Sequence, residues 1–233
     1  MSYVKTMVCL ANSRKMSGRC LAGKEIGPKG RFGDWIRPIS DRPTQEISEE
    51  ERRFENGDQP QLLDVIEITM REPRPHAHQS ENHLIDPQRY WIKRRRVAWD
   101  EVQSAIDEIK GPLWVDGYHS YNGVNDRIPE SQTATLGSSL LLIEPQNLVI
   151  SVAVEGAGFG NPKRKVRAQF SFNENSYTIA ITDPVIEREY LARENGEYPI
   201  ETAILCLSIG EPYQGYCYKL VAAVITPGRL QKR

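Results

Sequence analysis

The chain alternates between short apolar segments of β character and polar stretches rich in Pro and Gly. The segments 3–10 (YVKTMVCL) and 18–26 (GRCLAGKEI) flank the polar turn ANSRKMS and predict a hairpin. DWIRPI (34–39) predicts a third strand, and LLDVIEITM (62–70), with Leu63 and Val65 on one face and Ile66 and Ile68 on the other, a fourth. In QRYWIKRRRV (88–97) the period of two puts Trp91, Lys93 and Arg95 on one face of a fifth strand. The intervening 41–60 is acidic and polar and reads as a loop or a short surface helix. Trp99, Val102, Ile106 and Ile109 then follow a helical spacing that ends at Gly111-Pro112.

A second set follows the Gly-rich stretch 111–137. LLLIE (140–144), LVISVAVE (148–155), KVRAQFSF (165–172), SYTIAIT (176–182), ETAILCLSIG (201–210) and GYCYKLVAAVI (215–225) read as strands. In the third of these Val166, Ala168, Phe170 and Phe172 face inward, and Lys165, Arg167, Gln169 and Ser171 face out. Asp183-Pro184 provides a cap and first-turn pair for a helix ending near Gly196. The pattern predicts a mostly β protein of two tandem five-stranded barrels of the oligonucleotide/oligosaccharide-binding (OB) type, each with about one helix. The first covers 1–97 with the acidic insert 41–60, a helix and connector cover 98–137, and the second barrel covers 138–233. The competing arrangement is a single larger β sandwich.

A length of 233 residues accommodates two small domains. No apolar run reaches the roughly 20 residues of a membrane helix, and the N-terminal stretch, interrupted by Lys5, does not read as a secretory signal, so a cytoplasmic location is expected.

The net charge of −1 hides segregation. Counting Lys and Arg against Asp and Glu, residues 1–42 hold nine against three, 73–96 six against two, and 163–167 four against none, with acidic blocks between. Alternating blocks keep a neutral protein soluble, or assemble a basic groove.

Aromatic residues interleave with these cations: Trp35 with Arg37, and Trp91 with Lys93 and Arg95. Arg14 and Lys15 lie in the first basic block, and Lys163, Arg164, Lys165 and Arg167 form the third. Rings that stack bases and cations that track phosphates are how barrel faces hold single strands. For each tryptophan, a place in the core is the alternative.

Other chemistry is weaker. His76, His78 and His83 cluster near Glu81 in PHAHQSENHLID, which suggests a metal site at first sight; a turn or ligand loop fixed by Gln79, Glu81 and Asn82 fits the flanking prolines better, and no metal or cofactor is expected. Cys9, Cys20, Cys206 and Cys217 lack the tight knuckle spacing of zinc ligands and read as free thiols. AGFGNPKRK lacks the ending of a phosphate-binding loop and reads as a turn presenting cations. No nucleophile motif is present.

Asn12-Ser13-Arg14-Lys15, Trp35-Ile36-Arg37-Pro38, Gln79-Ser80-Glu81-Asn82 and Thr182-Asp183-Pro184, within a pattern running through nearly the whole chain, resemble the prokaryotic dual OB-domain proteins. The resemblance implies tandem OB barrels that bind nucleic acid in a defence or mobile-element setting. It supplies no catalytic residue, so catalysis would have to come from a protein partner. The expected function is therefore non-catalytic binding of single-stranded or structured nucleic acid. The rivals are a metal-dependent hydrolase at the histidine loop and a protein- or small-ligand-binding module.

Overall fold

The computed structural model describes residues 2–27 and 30–231, with the side chains of 230 and 231 outside the description. The chain divides into two compact units. One comprises Met1–Ala105 with Gly137–Ser139, the other Ile106–Leu136 with Leu140–Gln231.

In the first unit six strands, β1 (Tyr3–Lys15), β2 (Gly18–Ile26), β3 (Phe32–Ile39), β4 (Asp64–Pro73), β5 (Asn82–Ile85) and β6 (Ile92–Arg96), follow the order β1-β2-β3-β5-β4-β6. Two pairings turn this sheet into a barrel. β3 and β5 run parallel, Arg37 opposite Asn82, and the first half of β1 pairs with β4, Tyr3 opposite Met70, so the ring β1-β2-β3-β5-β4 closes on itself. β1 can serve two neighbours because its second half turns to β2, through a bulge after Cys9. At that crossing β2 approaches so closely that a Cβ on Gly23 would lie 1.8 Å from the Val8 carbonyl oxygen.

Met7, Cys9, Leu21, Ile36, Ile66, Ile68, Met70 and Ile85 fill this barrel. The acidic insert, expected as a polar loop, contributes Ile47 and Phe54 to the same core. Ile47 exchanges backbone hydrogen bonds with Arg19, and the insert's short helix α1 (Glu49–Arg52) is capped reciprocally by Ser48 and Glu51. The helix predicted after the barrel is only one turn and a half, α2 (Trp99–Gln103), with Glu101 accepting from the Ala98 N–H at 2.9 Å. The chain leaves helical geometry where Lys24 takes the Ala105 carbonyl at 2.6 Å and Asp107 passes into the second unit, exchanging hydrogen bonds with Leu142.

The second unit holds eight strands: β7 (Arg127–Pro129), β8 (Leu140–Ile143), β9 (Gln146–Glu155), β10 (Lys163–Phe172), β11 (Asn175–Ile181), β12 (Gly196–Pro199), β13 (Ile204–Tyr213) and β14 (Tyr216–Ile225). The order β9-β10-β11-β14-β13-β8, with β11 and β14 parallel, repeats that of the first barrel. Here β8 and β9, separated by Glu144 and Pro145, divide the work of β1: β8 pairs with β13 and β9 with β10. Proline, which has no N–H to give a ladder, suits the break between them. The helix α3 (Pro184–Leu191) stands between the third and fourth barrel strands, with Asp183 accepting from Val185 and Ile186 at its N-terminus. It ends five residues short of the predicted Gly196, which instead starts β12 on the free edge of β9.

The stretch 111–137 differs from the expected connector. It belongs to the second unit, where β7 pairs with β14 and Val124 bridges Thr178. Buried polar ties hold it: Asp116 accepts from Lys219 at 2.8 Å and from the Tyr177 hydroxyl at 2.6 Å. Burial lowers the Lys219 pKa, opposed by Asp116 and Asp126, and raises that of Tyr177. No helix among the described residues is long and apolar enough to cross a membrane.

Candidate nucleic-acid interface

Barrels with this strand order bind oligonucleotides and oligosaccharides on the outer face of their second and third strands, flanked by the loops joining strands one to two and four to five. In the first unit that face is β2 and β3, and it is covered. Lys24 is 7 % exposed, its ammonium over the Trp35 ring at 5.4 Å from the centroid as well as on the Ala105 carbonyl. Arg37 is 3 % exposed; its guanidinium lies 3.1 Å from Glu81 and donates to the Ser139 hydroxyl at 2.8 Å, and that hydroxyl donates to Glu81. Ser139 itself is fully buried, so 137–139 and the loop between β4 and β5 close over the strand that was to present Trp35 and Arg37.

Trp91 is corrected in the same way. It is 2 % exposed and packs in the barrel core, because it lies just before β6, where its N–H donates to the Arg53 carbonyl and it bridges Phe54 of the insert. The bulge in the pairing of β4 with β6 falls between Lys93 and Arg95 and takes Arg95 out of the expected alternation. Those two cations are exposed but each is engaged, Lys93 with Asp64 at 2.8 Å and Arg95 with Glu101 at 2.6 Å. Arg14 is exposed and Lys15 half-buried near the end of β1.

The histidine loop folds as a turn in which His76 and Gln79 exchange backbone hydrogen bonds, Ala77 adopts a positive φ, and Asn82 donates to the Gln79 side chain at 3.2 Å. His78, Gln79, Glu81 and Asn82 are buried and His76 exposed, while His83 bonds the Tyr3 hydroxyl at 2.6 Å. Among the described residues no group of three or more His, Cys, Asp or Glu is arranged to hold a metal ion. All four cysteines are free thiols. Burial pushes Cys9 up and Cys217 up to about 11, which keeps both protonated and poorly nucleophilic at neutral pH.

In the second unit the corresponding face is exposed at the start of β10 and partly covered beyond it, where Arg167 also faces Asp126 and Val124 bridges Thr178. The inward residues of β10 and β11, Val166, Ala168, Phe170, Tyr177, Ile179 and Ile181, are buried, so the outward row is Lys163, Lys165, Arg167 and Gln169 on β10 with Thr178 and Ala180 on β11. Of their β9 neighbours, Ala153 lies opposite Lys165, Ser151 opposite Arg167 and Glu155 opposite Lys163. Lys163 and Lys165 are exposed and have no ion-pair partner among the described residues. Arg167 is held by Glu155 at 2.6 Å, and Arg164, on the other face, donates to Asn195 and to the Leu191 and Arg193 carbonyls. The third basic block, expected as a turn, is thus the start of a strand.

The flanking loops carry aromatic rings that the basic-block reading missed. The strand-one-to-two loop turns through Gly156 and Gly160, both at positive φ, and a Cβ on Gly156 would lie 2.5 Å from the Asn161 carbonyl oxygen. Between them Phe159 is 76 % exposed and meets Tyr121, 85 % exposed, edge to face at 5.7 Å. Tyr213, 62 % exposed, ends β13 at the strand-four-to-five turn. A phenylalanine inside a glycine-rich turn between strands was the available signal, since such a turn has no core in which to bury it.

Two closed or nearly closed five-strand rings in tandem, each with the parallel pairing of third and fifth strands, define an OB-fold binding module. The chain belongs to the dual OB-containing domain family, whose sequence model matches residues 5–224. No curated protein and no solved structure matches the chain significantly.

Proposed function

We propose that this protein is a non-catalytic, cytoplasmic nucleic-acid-binding module that holds single strands on the outer face of its second barrel. The observation that carries the reading is that one barrel has two exposed lysines without an ion-pair partner among the described residues on β10 and exposed rings at the loops on either side of that strand's face. Lys163 and Lys165 attract the phosphates, and Phe159, Tyr121 and Tyr213 offer faces on which bases stack irrespective of sequence. The first barrel's basic residues contribute less, because Arg37 is sealed and Lys93 and Arg95 are neutralised by their own carboxylates.

Fluorescence anisotropy with labelled single-stranded DNA and RNA across a salt series tests this. Each phosphate neutralised contributes a log–log slope of about −0.7. Lys163→Glu/Lys165→Glu should weaken binding for every sequence and flatten the slope by roughly 0.7 per lysine. Phe159→Ala should cost about 1–3 kcal/mol with the slope unchanged, because stacking releases no counterions. In the first barrel, where Arg94 is paired with Glu67 as Arg95 is with Glu101, Arg94→Ala/Arg95→Ala should change little. Folded protein that binds neither strand at low salt, or a larger loss from the first-barrel substitutions, would contradict the reading.

A further inference from the structure

The first barrel carries a groove of about 1100 Å³ away from its covered face, between the turn after α1 and the chain entering β6. The turn is rigid: Phe54 and Asp58 are joined by a backbone hydrogen bond, with Gly57 at positive φ. Opposite it stands Tyr90, half exposed, between this groove and a smaller cleft of about 420 Å³. Arg53 lines the smaller cleft and lies over the Tyr90 ring at 5.4 Å from the centroid, and it is not among the residues that line the larger groove.

Carboxamides dominate the rest of the wall. The Gln88 side chain makes no hydrogen bond among the described residues, and Gln61 commits only its Nε2, to the Gln59 carbonyl at 3.2 Å. Each retains a donor and an acceptor in one plane, the pattern that pairs with the edge of a base. The charges balance, Glu55 and Asp58 against Arg89 and Lys93, and Lys93 is already satisfied by Asp64. A wall of that balance does not favour a polyphosphate, whereas its carboxylates accept readily from sugar hydroxyls.

We propose that this groove binds a single nucleoside unit, its base stacked on the half-exposed ring of Tyr90 and its edge read by Gln61 and Gln88. The nucleoside is either free or an unpaired residue of a strand, since both present the same base and ribose. The proposal does not rest on the second barrel's face.

Calorimetric titration of the full chain with adenosine, guanosine, cytidine and uridine, with short single strands, and with a neutral oligosaccharide distinguishes the cases. At least one nucleoside should bind, and Tyr90→Ala should weaken it roughly tenfold, within the range reported for loss of one base–ring stack. Tyr90→Phe should retain affinity, and Gln88→Ala should change the ranking of the four bases. Lys163→Glu/Lys165→Glu should leave nucleoside affinity unchanged even if it abolishes strand binding, which separates this site from the second-barrel face. Strands that bind no tighter than nucleosides point to a free ligand; strands that bind tighter and lose the gain with Tyr90→Ala point to an unpaired base. Melting curves establish that each variant is folded, and Gln88→Ala carries the test if Tyr90→Ala is not. Folded protein that binds no nucleoside, affinity indifferent to both Tyr90→Ala and Gln88→Ala, or Tyr90-dependent binding of the oligosaccharide alone would overturn the proposal.

Discussion

The two barrels share a strand order and differ in what lies on their second and third strands. In the first, the outward residues Lys24 and Arg37 are buried beneath Ala105 and Ser139, and the sealing contact is an ion pair whose side chains are both 4 % exposed. In the second, the equivalent strand presents Lys163 and Lys165 to solvent, and Glu155, opposite Lys163, is taken up by Arg167. A face held shut by a desolvated ion pair specifies structure; a face of unpaired cations beside exposed rings is available for a ligand. On the function proposed above, one fold used twice in a chain serves structure in the first barrel and binding in the second.

The largest effect that would break this contrast lies in the first barrel. Glu81→Ala leaves the Arg37 guanidinium buried without its carboxylate, and removing one partner of a buried pair costs about 3–5 kcal/mol. Urea denaturation should show that loss, and Arg37→Met/Glu81→Leu should recover most of it. A loss no greater than that of an exposed pair, roughly 0–1 kcal/mol, would mean the face is not sealed.

A smaller effect comes from His83, one strand away. Burial, and then the Lys5 ammonium, hold its pKa below 6.5, opposed by Glu25 and Glu81. The folded state therefore binds its proton less readily than the unfolded chain. The stability this contributes is present above about pH 6.5 and is lost as pH falls through the lowered folded value. Melting temperature followed from pH 7.5 downward should decline, and His83→Gln should flatten part of that decline. An identical pH profile for the two proteins would remove His83 from the account.

What was legible in the sequence was local. The alternation of 165–172, the hairpin turn at Asn173 and Glu174, and the Asp183-Pro184 helix start depend on neighbours a few residues apart, and each is found as read. Trp91 and Arg37 were misplaced because their environment is not local. Trp91 is buried against Phe54 of the insert, which lies well before it in the chain, and the partners of Arg37 come from a loop and a segment far along the chain, Ser139 being 102 positions away. The helix expected over 99–109 fell short because apolar spacing does not register a chain passing between units. Lys163 and Lys165 were singled out by charge alone, whereas their difference from Lys93 and Arg95 lies in which carboxylates the fold brings near.

Hydrogen exchange of the full chain, with and without a saturating single strand, addresses the contrast most directly. The account predicts that added protection concentrates in the second barrel, over 156–171 and the turn at Tyr213–Tyr216, while β2 and β3 exchange at the same rate bound and free. Protection confined to β2 and β3 of the first barrel, with 156–171 unchanged, would contradict it.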